Sequence, residues 1–314
     1  MKILITGGAG FIGSHVADAC IREGHEVIIV DNLRTGYERN LNPNARFVKM
    51  DICAPELRNL IAEEQPDIVD HHAAQISVPL SIKDPLTDAE INVKGLINLL
   101  EACAQNRVKK VVYISSGGAM YGEAEEYPTT ETCNPRPLSV YGINKMAGED
   151  YLYFYQQQYG LDYTVLRYAN VYGPRQVSHG EAGVVSIFTE MLLQGKTPTL
   201  NAYPDEPDGM IRDYVFVKDV VQANLLAFST GNGEAFNIGT CIPTTTRRLY
   251  DEISAQLGIS REPLKGEARE GDLRRSMLNI EKAKAGLGWQ PSYSLKQGIA
   301  QVIEYYKDFL GDQI

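Results

Sequence analysis

The sequence predicts an α/β protein with a doubly wound parallel sheet and a smaller, mostly helical lobe. Two observations favour this class. Short apolar runs alternate with amphipathic stretches from residue 1 to residue 172, as is typical of parallel strands joined by crossover helices. After Gly173 the alternation loosens, and irregular segments separate the remaining helices. The chain is therefore expected to divide into two unequal domains.

The first apolar run, Lys2 to Thr6, predicts a buried strand, and the glycine spacing G-x-x-G-x-x-G follows it. An amphipathic stretch from Phe11 to Glu23 then predicts a helix. Such glycines permit a tight turn, a close approach of phosphates to the backbone, and packing of the helix on the strand. The helix N-terminus adds unpaired N–H groups and a partial positive charge. The unit therefore predicts a Rossmann site for a dinucleotide. The expected contacts there are Gly7, Gly10, Phe11, Ile12 and Gly13.

Acidic residues end the next two predicted strands. Val27 to Val30 ends at Asp31, where a carboxylate can bind the hydroxyls of the adenosine ribose and would repel a ribose phosphate. This favours NAD over NADP. The third strand ends at Asp51, which either contacts the adenine amino group or caps a helix over Pro55 to Glu64, and both interpretations remain open. We also place Asn32 and Ile52 beside the cofactor.

The fourth and fifth strands bring further candidates to the same edge of the sheet. Small residues after Asp67 to His71 let the backbone lie against the cofactor, where the expected contacts are Ala73, Ala74 and Gln75. His71 and His72 have no partner at metal-ligand spacing, so we interpret both as structural and predict no metal site. The fifth strand ends at Ser115 and Ser116, which we predict to be catalytic hydroxyls, and Ser115 also a cofactor contact.

Two long helices flank the fifth strand. One is predicted from Asp84 to Asn106, with Asp84 as a cap and Asn92 as a contact to the cofactor. The other, Ser139 to Gln158, carries Tyr141 and Lys145, which project from one face of a helix because they lie four residues apart. A lysine ammonium and an oxidised nicotinamide would both favour the phenolate, so this pair is a candidate general acid/base.

A second tyrosine and lysine, Tyr214 and Lys218, have the same spacing, but they lie across the end of the strand Arg212 to Val217. Position after the fifth strand therefore favours Tyr141. We expect residues 1–172 to form the NAD-binding domain, with 213–240 returning to it. Residues 173–212 and 241–314 would form the substrate lobe, with the substrate in the cleft between the two.

Composition limits the partners. The net charge of −10 argues against nucleic acid and anionic membrane surfaces, and no apolar run is long enough to span a bilayer. The chain begins at once with a core strand, so we expect no signal peptide. The five cysteines are scattered and form no C-x-x-C pair, which favours reduced thiols in a cytoplasmic protein.

Four motifs together resemble the extended short-chain dehydrogenase/reductases. They are the glycine turn from Gly7 to His15, Tyr141-x-x-x-Lys145, the run from Arg167 to Pro174, and Arg212-Asp213-Tyr214-Val215. The resemblance covers nearly the whole chain and is closest to the nucleotide-sugar epimerases of the NAD-dependent epimerase/dehydratase family. It implies a homodimer that epimerises C4 of a UDP-hexose, UDP-glucose or UDP-galactose, through a 4-keto sugar. UDP-GlcNAc, UDP-GalNAc or UDP-glucuronate are alternative substrates.

The resemblance also implies roles for residues outside the glycine turn. Arg212 and Arg269 would bind the UDP diphosphate, Asn170 would contact phosphate and Asp272 the ribose. Tyr168 would lie near the nicotinamide. The pocket-gating position is Ser276, and a small residue there would leave room for an N-acetyl group. The implied dimer interface is formed by the helices that begin at Asp84 and Ser139.

Three positions depart from or refine the family pattern. The position where the family has a serine or threonine is Gly117, so Ser116 or Ser115, or a water, would replace that hydroxyl. Related dehydratases and decarboxylases carry acids where this chain has Gly118 and Ala119, so elimination is disfavoured.

An NAD-sensing regulator on the same fold is the non-enzymatic alternative. The intact acid/base pair argues against it.

Overall fold

The computed structural model describes residues 1–177, 183–269 and 272–311. Its main sheet has seven parallel strands in the order β10-β6-β5-β4-β1-β2-β3. The strands are β1 (Lys2–Thr6), β2 (Glu26–Asp31), β3 (Arg46–Lys49), β4 (Ile68–His71), β5 (Lys110–Ser116), β6 (Asp162–Tyr168), β7 (Asn170–Tyr172), β8 (Thr199–Ala202), β9 (Ile211–Phe216), β10 (Glu234–Ile238), β11 (Pro243–Thr245) and β12 (Leu264–Glu267). The strand order reverses between β1 and β4, and ligands of such sheets bind at that reversal.

Helices cover both faces of this sheet, which confirms the predicted fold class. They are α1 (Phe11–Arg22), α2 (Leu57–Glu64), α3 (Val78–Lys83), α4 (Pro85–Ala89), α5 (Leu96–Gln105), α6 (Gly117–Met120), α7 (Val140–Tyr159), α8 (Val184–Leu193), α9 (Val217–Ala227), α10 (Thr246–Leu257), α11 (Glu281–Leu287) and α12 (Leu295–Gly311). Apolar residues of α1, α9 and α11 form the core on one face, and those of α2, α5 and α7 form the core on the other. Both faces of the strands are therefore apolar, as the continuous runs in the sequence predict.

The helix predicted from Asp84 to Asn106 is interrupted. Asp84 caps α4 by accepting a hydrogen bond from the backbone N–H of Thr87 at 3.1 Å, as expected. A π-helical turn, Glu90–Gly95, then separates α4 from α5 and contains Asn92. Turns of this kind are frequent at functional sites. The spacing of apolar residues did not reveal the interruption.

Two small sheets belong to the second half of the chain. One joins β7, β9 and β11, and the other pairs β8 with β12 in parallel. A third core is formed by α8, α10 and α12 around β9. The strand β10 pairs with β6 in the main sheet, as expected for the segment that returns there. The division into two domains itself stays a prediction.

Candidate active site

The glycine turn forms a concave backbone cradle. Gly7 has a φ of +70°, and a Cβ at that position would lie 2.6 Å from the backbone N of Ala73 in the loop after β4. A Cβ at Gly13 would lie 2.5 Å from the carbonyl oxygen of Gly7, so only glycine lets α1 approach β1 this closely. The N-cap residue of α1 is Gly10, whose lack of a side chain leaves the helix N–H groups to an external acceptor.

Asp31 and Asp51 lie at the neighbouring strand ends. Asp31 is 8% exposed and accepts hydrogen bonds from the backbone N–H groups of Ala9, at 3.0 Å, and Leu33, at 2.8 Å. Asp51 accepts one from the Asn32 amide at 2.8 Å and one from the backbone of Cys53. Burial acts to raise the pKa of Asp51, but these hydrogen bonds outweigh it and the pKa is lowered. Both carboxylates are thus fixed along one edge.

Asp51 does not cap the following helix. The helix α2 starts at Leu57, later than predicted, and its N-cap is Glu56, which makes no side-chain cap. Asp51 instead closes a turn in which its carbonyl accepts from Ala54. The cap interpretation is therefore wrong, and the contact with the adenine stays a prediction. Ile52 is buried beside it.

The loop after β4 is held by Asn92. Its amide oxygen accepts from the backbone N–H of Gln75 at 3.0 Å, and its amide nitrogen donates to the carbonyl of Gln75 at 2.9 Å. The backbone N–H of Ala73 donates to Thr6, and Ala74 lies between these two fixed points. Both ends of the Asn92 amide are thus bonded to this loop, and its contact with the cofactor stays a prediction.

Tyr141 and Lys145 lie on α7 beside the end of β5, as predicted. Lys145 is 4% exposed, and its ammonium donates to the carbonyl of Ile114 at 2.8 Å and lies 5.8 Å from the centre of the Tyr141 ring. Burial lowers the pKa of Lys145 to about 8. Burial also raises the pKa of Tyr141 to about 12, and a hydrogen bond with Ser116 acts in the opposite direction. The three side chains form one cluster.

Ser115 and Ser116 serve different neighbours, because successive residues of a strand point to opposite faces. Ser116 meets the phenol of Tyr141, whereas the hydroxyl of Ser115 donates to Glu149 at 2.7 Å. Glu149 also accepts hydrogen bonds from the guanidinium of Arg167, and the shortest of them, to Oε2, is 2.5 Å long. The geometry therefore favours Ser116 over Ser115 as the catalytic hydroxyl, with Ser115 part of a buried ion-pair network.

The absence of a hydroxyl at Gly117 has a steric reason. A Cβ at Gly117 would lie 2.6 Å from Cδ1 of Leu278, a side chain that is 1% exposed. The space that a serine or threonine would fill is therefore taken by the core. Leu278 is held there by the fully buried carboxylate of Asp213, which accepts from its backbone N–H at 3.3 Å.

Two of the residues predicted to contact the substrate lie beside Gly118. A Cβ at Gly118 would lie 3.7 Å from the hydroxyl of Ser276 and 3.9 Å from the amide oxygen of Asn170. Ser276 reaches this position because its backbone N–H donates to the carbonyl of Ile211 at 3.0 Å. Arg212, next along β9, is half-buried and directs its guanidinium to the same carbonyl. Asn170 and Ser276, which are far apart in sequence, thus lie together beside Gly118, two residues after Ser116.

Two hydrogen bonds join Arg269 and Asp272. The backbone N–H of Arg269 donates to the Asp272 carboxylate at 3.1 Å, and the Asp272 N–H donates to the carbonyl of Arg269 at 3.1 Å. Tyr203 holds Asp272 in place by donating to its carbonyl at 2.7 Å. The Arg269 side chain is exposed, as suits a residue that binds a diphosphate from the rim of a site.

Tyr168 pairs with Ser116 across β5 and β6 and is 4% exposed. Its hydroxyl accepts from Asn224 at 2.7 Å, and burial raises its pKa well above the ordinary value. His71 stacks on Tyr113 with ring centres 5.9 Å apart, and burial lowers the pKa of His71 to about 3. Among the described residues, no group of three or more His, Cys, Asp or Glu is arranged to hold a metal ion.

The second tyrosine–lysine match does not form a pair. Tyr214 is buried in β9, whereas the ammonium of Lys218 lies over the ring of Tyr293, 5.9 Å from its centre. Of the two matches, Tyr141 and Lys145 are the pair whose side chains lie together. No sequence pattern indicated Asp88, whose buried carboxylate joins the loop after β4 to α7.

The fold and the cluster define a dinucleotide-dependent enzyme with a tyrosine–lysine acid/base pair. Residues 3–239 match the model of the NAD dependent epimerase/dehydratase family, and the chain belongs to that family. It is 45% identical to the UDP-glucose 4-epimerase of Mycolicibacterium smegmatis, over 98% of this chain and 99% of that one.

Two solved structures extend the comparison. The UDP-glucose 4-epimerase of Thermotoga maritima with UDP-glucose has a TM-score of 0.96 and 47% identity, and 99% of this chain and 100% of that one are covered. The UDP-glucose 4-epimerase of Thermus thermophilus in complex with NAD has a TM-score of 0.92 and 43% identity, with 98% and 99% covered. Among the described residues no helix is long and apolar enough to cross a membrane.

NAD is the cofactor of this family, and the residues present fit it. The glycine cradle would be filled by any Cβ, the start of α1 has no side-chain cap, and Asp31 stands where the ribose hydroxyls would bind. The chemistry of these groups suits an anionic diphosphate between two neutral sugars.

Proposed function

We propose that this enzyme is a UDP-hexose 4-epimerase that interconverts UDP-glucose and UDP-galactose. The observation that carries the proposal is the cluster of Tyr141, Lys145 and Ser116 beside the space bounded by Asn170 and Ser276. The similarity over the full length to epimerases of this specificity supports it. Residues 118 and 119 are glycine and alanine, not the acids that elimination requires, and epimerisation requires no acid at these positions.

The residues of the cluster divide the chemistry between them. The Tyr141 oxygen removes the proton of the sugar C4 hydroxyl and later returns it, held in place by Ser116. Lys145 stabilises the phenolate by its charge. When bound, NAD supplies the acceptor and donor of the hydride at C4 and, when oxidised, a further positive charge. The 4-keto sugar must turn over between the two transfers, so the sugar contacts must be few and the nucleotide contacts strong.

The nucleotide contacts are assigned to Arg212, Arg269, Asn170 and Asp272. Guanidinium groups form charge-assisted, often bidentate hydrogen bonds with phosphate, which makes them the strong part of such a site. On the sugar side, we assign the wall of the site to two small residues, Gly118 and Ser276, which lie beside each other. Their small size favours acceptance of N-acetylated sugars, UDP-GlcNAc and UDP-GalNAc, as a second activity of the same site.

Turnover without added cofactor tests the proposal. Purified enzyme is offered UDP-galactose and UDP-GalNAc separately, and the product sugar is identified. Conversion of UDP-galactose to UDP-glucose is expected, with NAD recovered from the denatured protein, and Tyr141→Phe should abolish turnover while retaining NAD. Loss of NAD from Tyr141→Phe together with activity would leave the role of Tyr141 unsupported. No conversion of UDP-galactose by the wild-type enzyme would refute the assignment.

We also propose a homodimer in the cytoplasm. Large apolar side chains are exposed in the segment 76–86 and on α7, and Leu86 is 82% exposed. They include Ile76, Ile82, Leu86, Ile143, Tyr153 and Phe154. The helices α3 and α4 of this segment pack against α7, and exposed apolar side chains on packed helices are typical of a dimer interface. Light scattering should report a dimer for the wild type and a monomer for Leu86→Glu/Phe154→Glu.

None of the five cysteines forms a disulfide, which suits a reducing compartment such as the cytoplasm.

A further inference from the structure

We propose that Asp88 is a positioning residue that supplies the buried negative charge facing Lys145 and Tyr141, and that this charge sets the pH range in which the pair works. The inference rests on the proposed function. Asp88 lies on α4 and is 0% exposed. A fully buried carboxylate is costly unless it is compensated, so its surroundings require an explanation.

Three side-chain amides from three segments donate to this carboxylate. Asn144 on α7 donates to Oδ1 at 2.6 Å, Asn92 in the π-helical turn donates to the same oxygen at 3.1 Å, and Gln75 donates to Oδ2 at 2.6 Å. All three partners are neutral amide N–H groups, so both carboxylate oxygens act as acceptors. Among the described residues no cation donates a hydrogen bond to Asp88.

The same amides belong to the machinery of the site. Asn92 holds the backbone of Gln75 in the loop assigned to the cofactor, and Asn144 immediately precedes Lys145. One carboxylate thus fixes the cofactor loop and the catalytic helix relative to each other. A purely structural crosslink could have used a neutral residue, so the charge needs a function of its own.

The charge acts on the acid/base pair. Lys145 faces ionisable groups from four elements, His71 on β4, Tyr113 on β5, Asp88 on α4, and Tyr141 and Glu149 on α7. Glu149 is neutralised by Arg167, and burial keeps His71 uncharged. Asp88 is therefore the unneutralised anion of this set. It raises the pKa of Lys145 against the effect of burial and also raises that of Tyr141.

Removing this charge has a defined sign. Without the anion, both the phenol and the ammonium lose their protons more readily. The pH at which Tyr141 becomes a base should therefore fall, and so should the pH at which Lys145 loses its charge. A single nearby charge shifts such equilibria by about one unit or more. A neutral residue at position 88 should move the whole pH–rate profile to lower pH by about one unit.

The test compares kcat against pH for UDP-galactose in the wild type, Asp88→Asn and Asp88→Ser. The Asp88→Asn protein could fail to fold, because the asparagine NH2 group would face the donating amides. Asp88→Ser then replaces it, because a serine hydroxyl can accept a hydrogen bond without presenting a fixed donor. Asp84→Asn is the matched control, because it makes the same chemical change at the N-cap of the same helix, where asparagine caps equally well. Its profile should coincide with that of the wild type.

A charge-swapped variant, Asp88→Asn/Asn144→Asp, keeps one carboxylate in the network, and its profile should return towards the wild-type pH. A profile that stays at the wild-type pH in the neutral variants would overturn the proposal, whatever the loss of rate. The tyrosinate absorbance that Tyr141→Phe removes, followed against pH in the NAD-loaded protein, gives the same comparison without turnover. An inactive wild type would therefore refute the epimerase assignment and still leave Asp88 tested.

Discussion

The two serines at the end of β5 allow a sharp test of the catalytic cluster. Ser116→Ala removes the hydroxyl that meets Tyr141, whereas Ser115→Ala removes one that donates to Glu149. A hydrogen bond to a group that carries charge is worth about 1.5–3 kcal/mol. Because each ~1.4 kcal/mol is tenfold in rate, Ser116→Ala should lower kcat by about 10- to 150-fold.

Ser115→Ala should behave differently. Glu149 keeps three hydrogen bonds from Arg167, so its loss of one hydroxyl donor costs stability of about 1 kcal/mol and little kcat. The assay is conversion of UDP-galactose at saturation, with bound NAD measured in each variant to show that the cofactor site is intact. A larger loss of kcat in Ser115→Ala than in Ser116→Ala would refute the assignment of the hydroxyl.

Two further predictions concern the cofactor cradle and the sugar wall. Gly13→Ala would place a Cβ 2.5 Å from the carbonyl oxygen of Gly7, so the purified variant should contain little or no NAD, as measured in the denatured protein. Retention of a full complement of NAD would contradict the tight packing of α1 on β1. Ser276→Tyr would fill the space beside Gly118, so kcat/KM for UDP-GalNAc should fall at least tenfold more than that for UDP-galactose. Equal losses for both substrates would show that Ser276 does not face the sugar.

The parts of the site that local sequence determines were predictable. Tyr141 and Lys145 lie four residues apart on one helix, and their relation holds wherever that helix packs. The glycine turn is likewise local, because its strand, turn and helix are consecutive. The choice between Ser115 and Ser116 needed the identity of the residue opposite each face of β5, and Glu149 is more than thirty residues away from both.

The network of Asp88 could not be predicted. It joins residues 75, 88, 92 and 144, and its geometry depends on a π-helical turn that apolar spacing does not reveal. An aspartate near the start of a predicted helix is ordinarily a solvated first-turn residue that favours the helix dipole. Its burial follows only from the packing of α4 against α7.

The segment that carries Ser276 and Leu278 connects the shape of the sugar space to the geometry of the acid/base cluster. This segment runs beside β9. The backbone N–H of Ser276 donates to the carbonyl of Ile211, and that of Leu278 donates to the carboxylate of Asp213. One end of it lies beside Gly118, where we propose that the sugar binds, and the other fills the space over Gly117. A hydroxyl side chain at Gly117 would displace Leu278 and, through two residues of backbone, Ser276. The glycine at 117 and the hydroxyl at Ser116 therefore have one explanation. Leu278 occupies the space that a side chain at position 117 would need, so the hydroxyl comes from the preceding residue.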